Sequence, residues 1–293
     1  MLIGPTGVGK TDVSIKLARL LDTEVVSCDS RQLYREMPIG TAMPTAEQLA
    51  AVPHHFIASH TIHEAYTAGK YEIEALELLS QLFQRKNVVV MTGGSGLYVD
   101  AVCKGIDDFP EQIPGLRESL MQRIKDEGLE ALRHELKIVD PDSYRQLDLM
   151  NPHRIVRALE VSLSTGKPYS SFKKESKKTR PFRIVKVGLQ RPREELYQRI
   201  NLRTLQMIEE GWVAEARALY PFRNLSALNT VGYKELFDYF DEKTTFPEAI
   251  SLIQQHTRNY AKKQLSYWGR DKEIQWINTE KSEKILSLLF ESE

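Results

Sequence analysis

The chain has 293 residues, of which 41% are hydrophobic and 27% charged, and its formal net charge is zero, so it can bury a substantial core as one large domain or two smaller ones. Its two cysteines, Cys28 and Cys103, lie far apart and outside any Cys/His cluster, which indicates neither a disulfide framework nor a zinc site and suits a reducing cytoplasm. No apolar run approaches the length of a membrane span and no signal-peptide pattern opens the chain, so we expect neither membrane insertion nor export.

The first predicted element is a phosphate-binding loop between a short apolar strand and an amphipathic helix. Gly4, Gly9, Lys10 and Thr11 have the spacing G-x-x-x-x-G-K-[ST]. In such a loop, backbone N–H groups and the positive end of the helix converge on an anion, the lysine adds charge, and the threonine hydroxyl can hold Mg²⁺. The residues assigned to binding a di- or triphosphate are Gly4, Pro5, Thr6, Gly7, Val8, Gly9, Lys10 and Thr11.

Two further strands are predicted to end at the same crevice. The first covers residues 24–29, so Asp29 and Ser30 should lie beyond its carboxyl end, where open α/β sheets bind ligands. After a helix over 69–85, a buried strand over 87–91 ends in Thr92, a position where ATPases and GTPases usually carry a metal-directed aspartate. The threonine favours a group-transfer enzyme over a hydrolase, and the glycines beside Ser95 let its hydroxyl approach the ligand.

Beyond residue 105 the pattern changes to charged helices and a linker rich in Pro and Gly. Helices are predicted over 116–134, from 140 and from 151, before residues 183–189 return as a strand. We therefore predict an α/β fold of the P-loop NTPase type, with a parallel sheet flanked by helices. Its catalytic domain comprises residues 1–112 and 181–293, and residues 113–180 form a helical insertion domain.

Charge is distributed unevenly along the chain. Residues 151–186 contain ten basic and two acidic residues, a local charge of +8 on an otherwise acidic protein. A basic patch of this kind is typical of proteins that bind a nucleic-acid backbone. On charge alone, a solvated loop explains the segment equally well.

The last third is predicted to be helical, over 193–219, 232–240 and 246–268. Arg199 and Arg203 share one face of the first helix, and spacing alone favours solvation or pairing with glutamates over catalysis. In the last helix, basic residues alternate with Tyr260 and Tyr267, which suits an RNA surface, although a core-facing aromatic stripe is the commoner explanation.

Together these motifs resemble the tRNA dimethylallyltransferases over nearly the whole chain. Ser95 stands where that family usually has threonine, and the chain lacks the zinc finger of eukaryotic relatives, so it is similar to the bacterial type. The motifs, in chain order, are Gly4 to Thr11, Asp29-Ser30-Arg31-Gln32-Leu33-Tyr34, Ile39-Gly40-Thr41-Ala42, Gly93-Gly94-Ser95-Gly96-Leu97-Tyr98, Arg154 to Val161, and Val231-Gly232-Tyr233-Lys234-Glu235.

The resemblance implies transfer of a dimethylallyl group from its diphosphate to N6 of adenosine 37, in tRNAs that read codons starting with U. A carboxylate that accepts the N6 proton assists a poor nucleophile, and this role falls to Asp29. Lys10, Mg²⁺ held by Thr11, and Arg203 would stabilise the departing diphosphate. Ser95 would contact the substrate and completes the implied catalytic set.

The resemblance also implies that the insertion clamps the anticodon stem-loop and that the protein is a cytoplasmic monomer. The implied tRNA-binding residues are Asp29, Ser30, Arg31, Gln32, Ser95, Arg117, His153, Arg154, Ile155, Val156 and Arg157.

Three other functions share some of these features. A small-molecule kinase would use the same loop to bind ATP. An enzyme that prenylates free adenine nucleotides would need no basic insertion. A non-catalytic RNA-binding protein would have no use for an intact Lys10, Thr11 and Asp29.

Overall fold

The computed structural model describes residues 1–107, 109–110, 113–173 and 178–290. Its contacts divide the chain into two compact units, one formed by Met1–Cys103 with Arg180–Glu293 and the other by Lys104–Thr179. The predicted insertion over 113–180 starts later than this second unit. The difference arises because the start of the linker packs with the unit's end: the Lys178 N–H donates to the Lys104 carbonyl at 2.9 Å.

The first unit is built on one parallel sheet of six strands, in the order β3-β2-β4-β1-β5-β6. This confirms the predicted fold class. The strands are Leu2–Ile3 (β1), Val25–Ser27 (β2), His54–His55 (β3), Val90–Gly93 (β4), Val187–Gln190 (β5) and Gln275–Asn278 (β6).

Helices flank this sheet, and four helices between Leu116 and Thr165 form most of the described part of the second unit. No helix within the described ranges is both long and apolar enough to cross a membrane. The helices are Lys10–Leu20 (α1), Ala46–Ala51 (α2), Ala68–Leu82 (α3), Gly96–Cys103 (α4), Leu116–Glu127 (α5), Leu129–Val139 (α6), Pro141–Gln146 (α7), Pro152–Thr165 (α8), Arg193–Glu209 (α9), Trp212–Leu219 (α10), Tyr233–Phe240 (α11), Phe246–Trp268 (α12) and Lys284–Phe290 (α13).

Two helices that the sequence predicts as continuous are each broken at a glycine. The prediction over 116–134 is wrong because Gly128, with φ of 85°, separates α5 from α6. The prediction over 193–219 is wrong because Gly211, with φ of 104°, separates α9 from α10. A positive φ ends a right-handed helix, and glycine adopts it without a steric penalty.

The sheet also contains a strand that the sequence analysis missed. Residues of β6 pair with β5 in parallel register, Val187 opposite Gln275 and Leu189 opposite Ile277. The last predicted helix ends at residue 268, so no element was predicted here, and β6 is too short to show a clear alternating pattern. The strand predicted over 183–189 likewise begins later, at Val187.

The basic segment over 151–186 does not form one surface. Arg180 lies in the first unit, where it is buried and pairs with buried Glu72 at 2.8 Å. Lys186 is also buried there and pairs with Asp271 at 2.7 Å and Glu273 at 2.6 Å. Part of the local charge of +8 is therefore neutralised inside the protein. Lys174 and Lys177 fall outside the described residues.

A carboxylate on α10 anchors the loop over residues 37–44. Glu215 accepts hydrogen bonds from the backbone N–H groups of Ile39 and Gly40, each at 2.8 Å, and from the Tyr233 hydroxyl at 2.5 Å. The packing around this loop is tight, since a Cβ on Gly40 would lie 2.2 Å from the Trp212 Nε1 atom. The Glu215 carboxylate thus ties the backbone of this loop to α10 and α11.

Replacing Glu215 with Ala should lower the free energy of unfolding by about 1–3 kcal/mol, because two backbone N–H groups and a buried hydroxyl lose their acceptor. The matched control is Glu209→Ala, since Glu209 is exposed on α9; it should change stability by less than about 0.5 kcal/mol. Urea denaturation measures both. Equal, small effects would show that Glu215 does not anchor the loop.

Candidate active site

A cavity of about 770 Å³ lies at the carboxyl ends of β2 and β4, against the phosphate-binding loop and one side of α9. It brings together residues that the sequence analysis selected from three separate parts of the chain. Those that line it are Thr6, Gly7, Gly9, Lys10, Thr11, Asp29, Gln32 and Arg203. Gly4, Pro5 and Val8 are buried behind this wall and support the loop.

The loop's shape depends on its glycines. Gly7 and Gly9 have φ of 81° and 101°, and Gly9 caps the start of α1. Gly4 is also required for packing, because a Cβ there would lie 2.7 Å from the Leu189 carbonyl oxygen. The chain can therefore turn sharply from β1 into α1 with its N–H groups close to the cavity.

Lys10 contributes a half-buried positive charge to this loop. Its Nζ donates to the carbonyl oxygens of Gly4 and Pro5, each at 2.9 Å. Burial lowers the pKa of Lys10 from 10.5 to about 8, an effect that the nearby negative charge of Asp29 partly opposes. The side chain is thus held in a place where an incoming anion would favour its charged form.

Three arginines reach the same loop from distant parts of the sequence. Arg203 donates to the Thr6 hydroxyl at 2.6 Å, and Arg199 donates to the Gly7 carbonyl at 2.9 Å. Arg191 donates to the Val8 carbonyl, also at 2.9 Å. Burial lowers the pKa of Arg203, again opposed by Asp29. The sequence analysis missed Arg191 and favoured solvation for Arg199, since spacing carries no signal for contacts more than 180 residues apart.

Asp29 is oriented by its own loop. Its Oδ1 atom accepts from the backbone N–H of Arg31 at 2.9 Å and of Gln32 at 3.4 Å. Within the described residues, its Oδ2 atom makes no hydrogen bond. The carboxylate is therefore fixed through one oxygen, while the other is available to a ligand in the cavity.

Ser95, in the turn between β4 and α4, is hydrogen-bonded to the same loop. Its hydroxyl accepts from the Ser30 N–H at 2.9 Å and donates to the Ser30 hydroxyl at 3.0 Å. Ser95 therefore contacts the residue after Asp29 directly, and the cavity wall is formed by its neighbours Thr92 and Gly93.

Two predicted tRNA-binding residues hold backbone segments instead of projecting freely. Arg31 donates to the carbonyl oxygens of Ser226 at 3.0 Å and Ala227 at 2.9 Å. Gln32 donates to the Ala42 carbonyl at 2.9 Å. Both side chains thus tie the Asp29 loop to neighbouring loops.

The remaining predicted tRNA-binding residues lie in the helical unit. Buried Glu160 pairs with Arg157 at 2.8 Å and with Arg117 at 3.2 Å. The side chains of Ile155 and Val156 are fully buried in that unit's core. His153 and Arg154, in the first turn of α8, are exposed. Among the predicted residues of α8, those of the first turn are the most exposed, while the side chain of Arg157 is 33% exposed.

The donor set of the cavity could hold Mg²⁺. Thr11 lines the wall in the first turn of α1, and the Thr92 Oγ1 atom is buried without a hydrogen-bond partner in the described part of the chain. Mg²⁺ prefers oxygen ligands and is usually bound by few protein groups together with water and substrate phosphates. Hydroxyl groups beside a phosphate-binding loop fit that pattern.

Lys10 makes a testable contribution to stability. Its pKa is about 8 in the folded protein and 10.5 in a free side chain, so between these pH values the unfolded chain binds more protons. Raising the pH through this window should therefore stabilise the wild type relative to Lys10→Met. Urea unfolding at about pH 7.5 and pH 9.5 measures the change. Lys16→Met, at an exposed position of α1, is the control and should show no such trend.

Comparison with known proteins supports the grouping of these motifs. The family model described as IPP transferase matches residues 32–271. The chain is 52% identical over 289 residues to tRNA dimethylallyltransferase 1 of Bacteroides thetaiotaomicron, covering 99% of this chain and 94% of the relative. It is 51% identical over 280 residues to tRNA dimethylallyltransferase 2 of Porphyromonas gingivalis, covering 96% and 93%.

A solved structure of a related protein has a similar fold. The full-length tRNA isopentenylpyrophosphate transferase of Bacillus halodurans is 34% identical, with a TM-score of 0.70 over 99% of this chain and 96% of that one. The chain therefore belongs to the IPP transferase family, the family of the tRNA dimethylallyltransferases.

Proposed function

We propose that this chain transfers a dimethylallyl group from dimethylallyl diphosphate to N6 of adenosine 37 in tRNAs that read codons starting with U, giving N6-(dimethylallyl)adenosine and diphosphate. The observation that carries the proposal is a cavity lined by a phosphate-binding loop, two half-buried cations and an oriented carboxylate. The names of the relatives, which are tRNA dimethylallyltransferases, support the choice of substrates.

The cationic side of the cavity binds the diphosphate. As the bond between the allylic C1 and the bridging oxygen breaks, its electron pair stays on the diphosphate. Lys10 and Arg203 stabilise that growing charge, and because both are already held by hydrogen bonds, little reorganisation is needed. The Thr11 hydroxyl would hold Mg²⁺, which neutralises diphosphate charge when bound.

Asp29 acts on the acceptor. The N6 amine of adenine is a poor nucleophile because its lone pair is delocalised into the ring. As the N6–C1 bond forms, the nitrogen loses a proton, which the unbonded Oδ2 of Asp29 accepts. The hydrogen bonds to Oδ1 hold the carboxylate in one orientation during this step.

The helical unit is proposed to bind the anticodon stem-loop through the exposed first turn of α8, where Arg154 can contact a phosphate. We also propose that the protein acts as a monomer in the cytoplasm. The phosphate-binding groups and Asp29 belong to one unit of one chain, so no second copy is needed to complete the cavity. Cys28 and Cys103 are buried and form no disulfide within the described residues, which is compatible with a reducing compartment.

One experiment tests the proposed reaction against its alternatives. The protein is incubated with radiolabelled dimethylallyl diphosphate and unmodified tRNA, with AMP in place of tRNA in a parallel reaction. We expect label in tRNA at adenosine 37 and none in AMP. Label in AMP alone would instead identify a nucleotide prenyltransferase. ATP consumption without transfer of label would identify a kinase.

Replacing Asp29 with Asn should lower the single-turnover rate about 10²- to 10⁴-fold, the usual contribution of a general base. The amide keeps an oxygen acceptor for the N–H groups of Arg31 and Gln32, so the loop should keep its shape. Asp22→Asn, at an exposed position of the same unit, is the control. A turnover close to wild type at saturating substrates would remove Asp29 from the mechanism.

Replacing Arg154 with Ala should weaken tRNA binding and reduce the slope of log Kd against log salt by about one, because one phosphate contact is lost. The affinity for diphosphate should not change. Arg145→Ala, at another exposed arginine of the helical unit, is the control. Binding titrations at several salt concentrations measure the slope. Identical slopes for wild type and Arg154→Ala would exclude the contact.

A further inference from the structure

Gln264, on α12, uses both ends of its side-chain amide within the catalytic unit. It is 6% exposed. Its Oε1 atom accepts from the Thr6 backbone N–H at 2.8 Å, and its Nε2 atom donates to the Gly94 carbonyl at 2.8 Å. The side chain thus bridges two loops that are distant in sequence.

The two loops that Gln264 joins carry different parts of the proposed reaction. Thr6 belongs to the phosphate-binding loop, and its hydroxyl receives the hydrogen bond from Arg203. Gly94 precedes Ser95, whose hydroxyl holds Ser30, the neighbour of Asp29. A single amide therefore connects the diphosphate side of the cavity to the side that holds the proposed base.

Besides the hydrogen bond from Thr6 to Gln264, other contacts also hold the shape of the phosphate-binding loop. Lys10 bonds the Gly4 and Pro5 carbonyls, Arg199 bonds Gly7, and Arg191 bonds Val8. These contacts all remain when Gln264 is replaced. Removing the amide should therefore leave the loop able to bind an anion, while its position relative to the Gly94 turn becomes less restricted.

We propose that Gln264 is a positioning residue that sets the distance between the bound allylic diphosphate and Asp29. The inference rests on the proposed function. Reacting groups must be held within a fraction of an ångström, and a displacement of 1 Å can lower a rate by about 10²-fold. Gln264 lines the cavity and acts through its hydrogen bonds to Thr6 and Gly94.

The chemistry of the side chain explains why glutamine suits this place. An amide offers one acceptor and one donor on the same carbon, as the two backbone partners require. A glutamate would place a carboxylate oxygen against the Gly94 carbonyl, and a methionine of similar length would offer no strong donor.

The first test is Gln264→Met, assayed with saturating tRNA and dimethylallyl diphosphate. We expect the single-turnover rate to fall about 10- to 100-fold. The Kd for inorganic diphosphate and the Kd for tRNA should each stay within about threefold of wild type, because the groups that bind them are unchanged. Isothermal titration calorimetry and filter binding measure these constants.

The matched control is Gln254→Met on the same helix. Gln254 also donates to a backbone carbonyl, that of Asn201, at 3.2 Å, but within the described part of the chain it makes no hydrogen bond to either loop. This variant should lose a similar amount of thermal stability and keep the wild-type rate. A loss of rate that merely follows the loss of stability would appear in both variants.

A second variant disturbs the same pair of hydrogen bonds without changing Gln264. A Cβ on Gly94 would lie 2.3 Å from the Gln264 Nε2 atom, and the Gly94 backbone lies outside the left-handed region. Gly94→Ala should therefore displace the amide and slow transfer to a similar extent, again without loss of diphosphate affinity. It also provides the test if Gln264→Met does not fold.

The outcomes separate the two proposals. If the wild type does not transfer label to tRNA, the proposed function fails. If the wild type transfers label and both variants keep its rate, the function stands and the positioning role is wrong. A parallel fall in rate and diphosphate affinity would also overturn the positioning role, because it would show that Gln264 maintains the anion site itself.

Discussion

Hydrogen bonds from cationic side chains to the carbonyl oxygens of the phosphate-binding loop are the interaction on which the rest of the site depends. Lys10 satisfies Gly4 and Pro5 from within the loop, while Arg199 and Arg191 satisfy Gly7 and Val8 from outside it. With those carbonyl groups occupied, the loop presents N–H groups and positive charge to the cavity. Burial lowers the pKa of Lys10 and so disfavours its charged form, which a bound anionic ligand would favour.

The residues at the carboxyl ends of β2 and β4 explain how a P-loop fold can support transfer to an amine. Thr92 occupies the strand end where nucleotide hydrolases place an aspartate, and Asp29, which follows the neighbouring strand β2, supplies an acidic group with a defined orientation. One of its oxygens is held by two backbone N–H groups and the other is not. This arrangement suits a group that takes a proton from a substrate bound in the cavity.

The charge pattern of the sequence shows how many basic residues the segment over 151–186 contains, but not which of them are exposed in the folded protein. Arg180 and Lys186, counted with the basic segment, are buried and paired with acidic residues from distant parts of the chain. Arg157 is paired with Glu160, three residues away. The pairs of Arg180 and Lys186 form only when folding brings distant residues together. A count of lysines and arginines therefore overstates the positive charge that an RNA would meet.

The sequence by itself determined the features whose geometry is local. The phosphate-binding loop depends on a few neighbouring residues, and α12 has the predicted bounds because Thr245 and Glu248 form a capping box at its start. Order along the chain also identified the parallel sheet, the helical insertion and the position of Asp29. Only the tertiary structure decided which distant side chains complete the cavity. Arg191 and Gln264 meet the loop across 183 and 258 residues, and such contacts depend on how packed elements align, for which sequence spacing provides no rule.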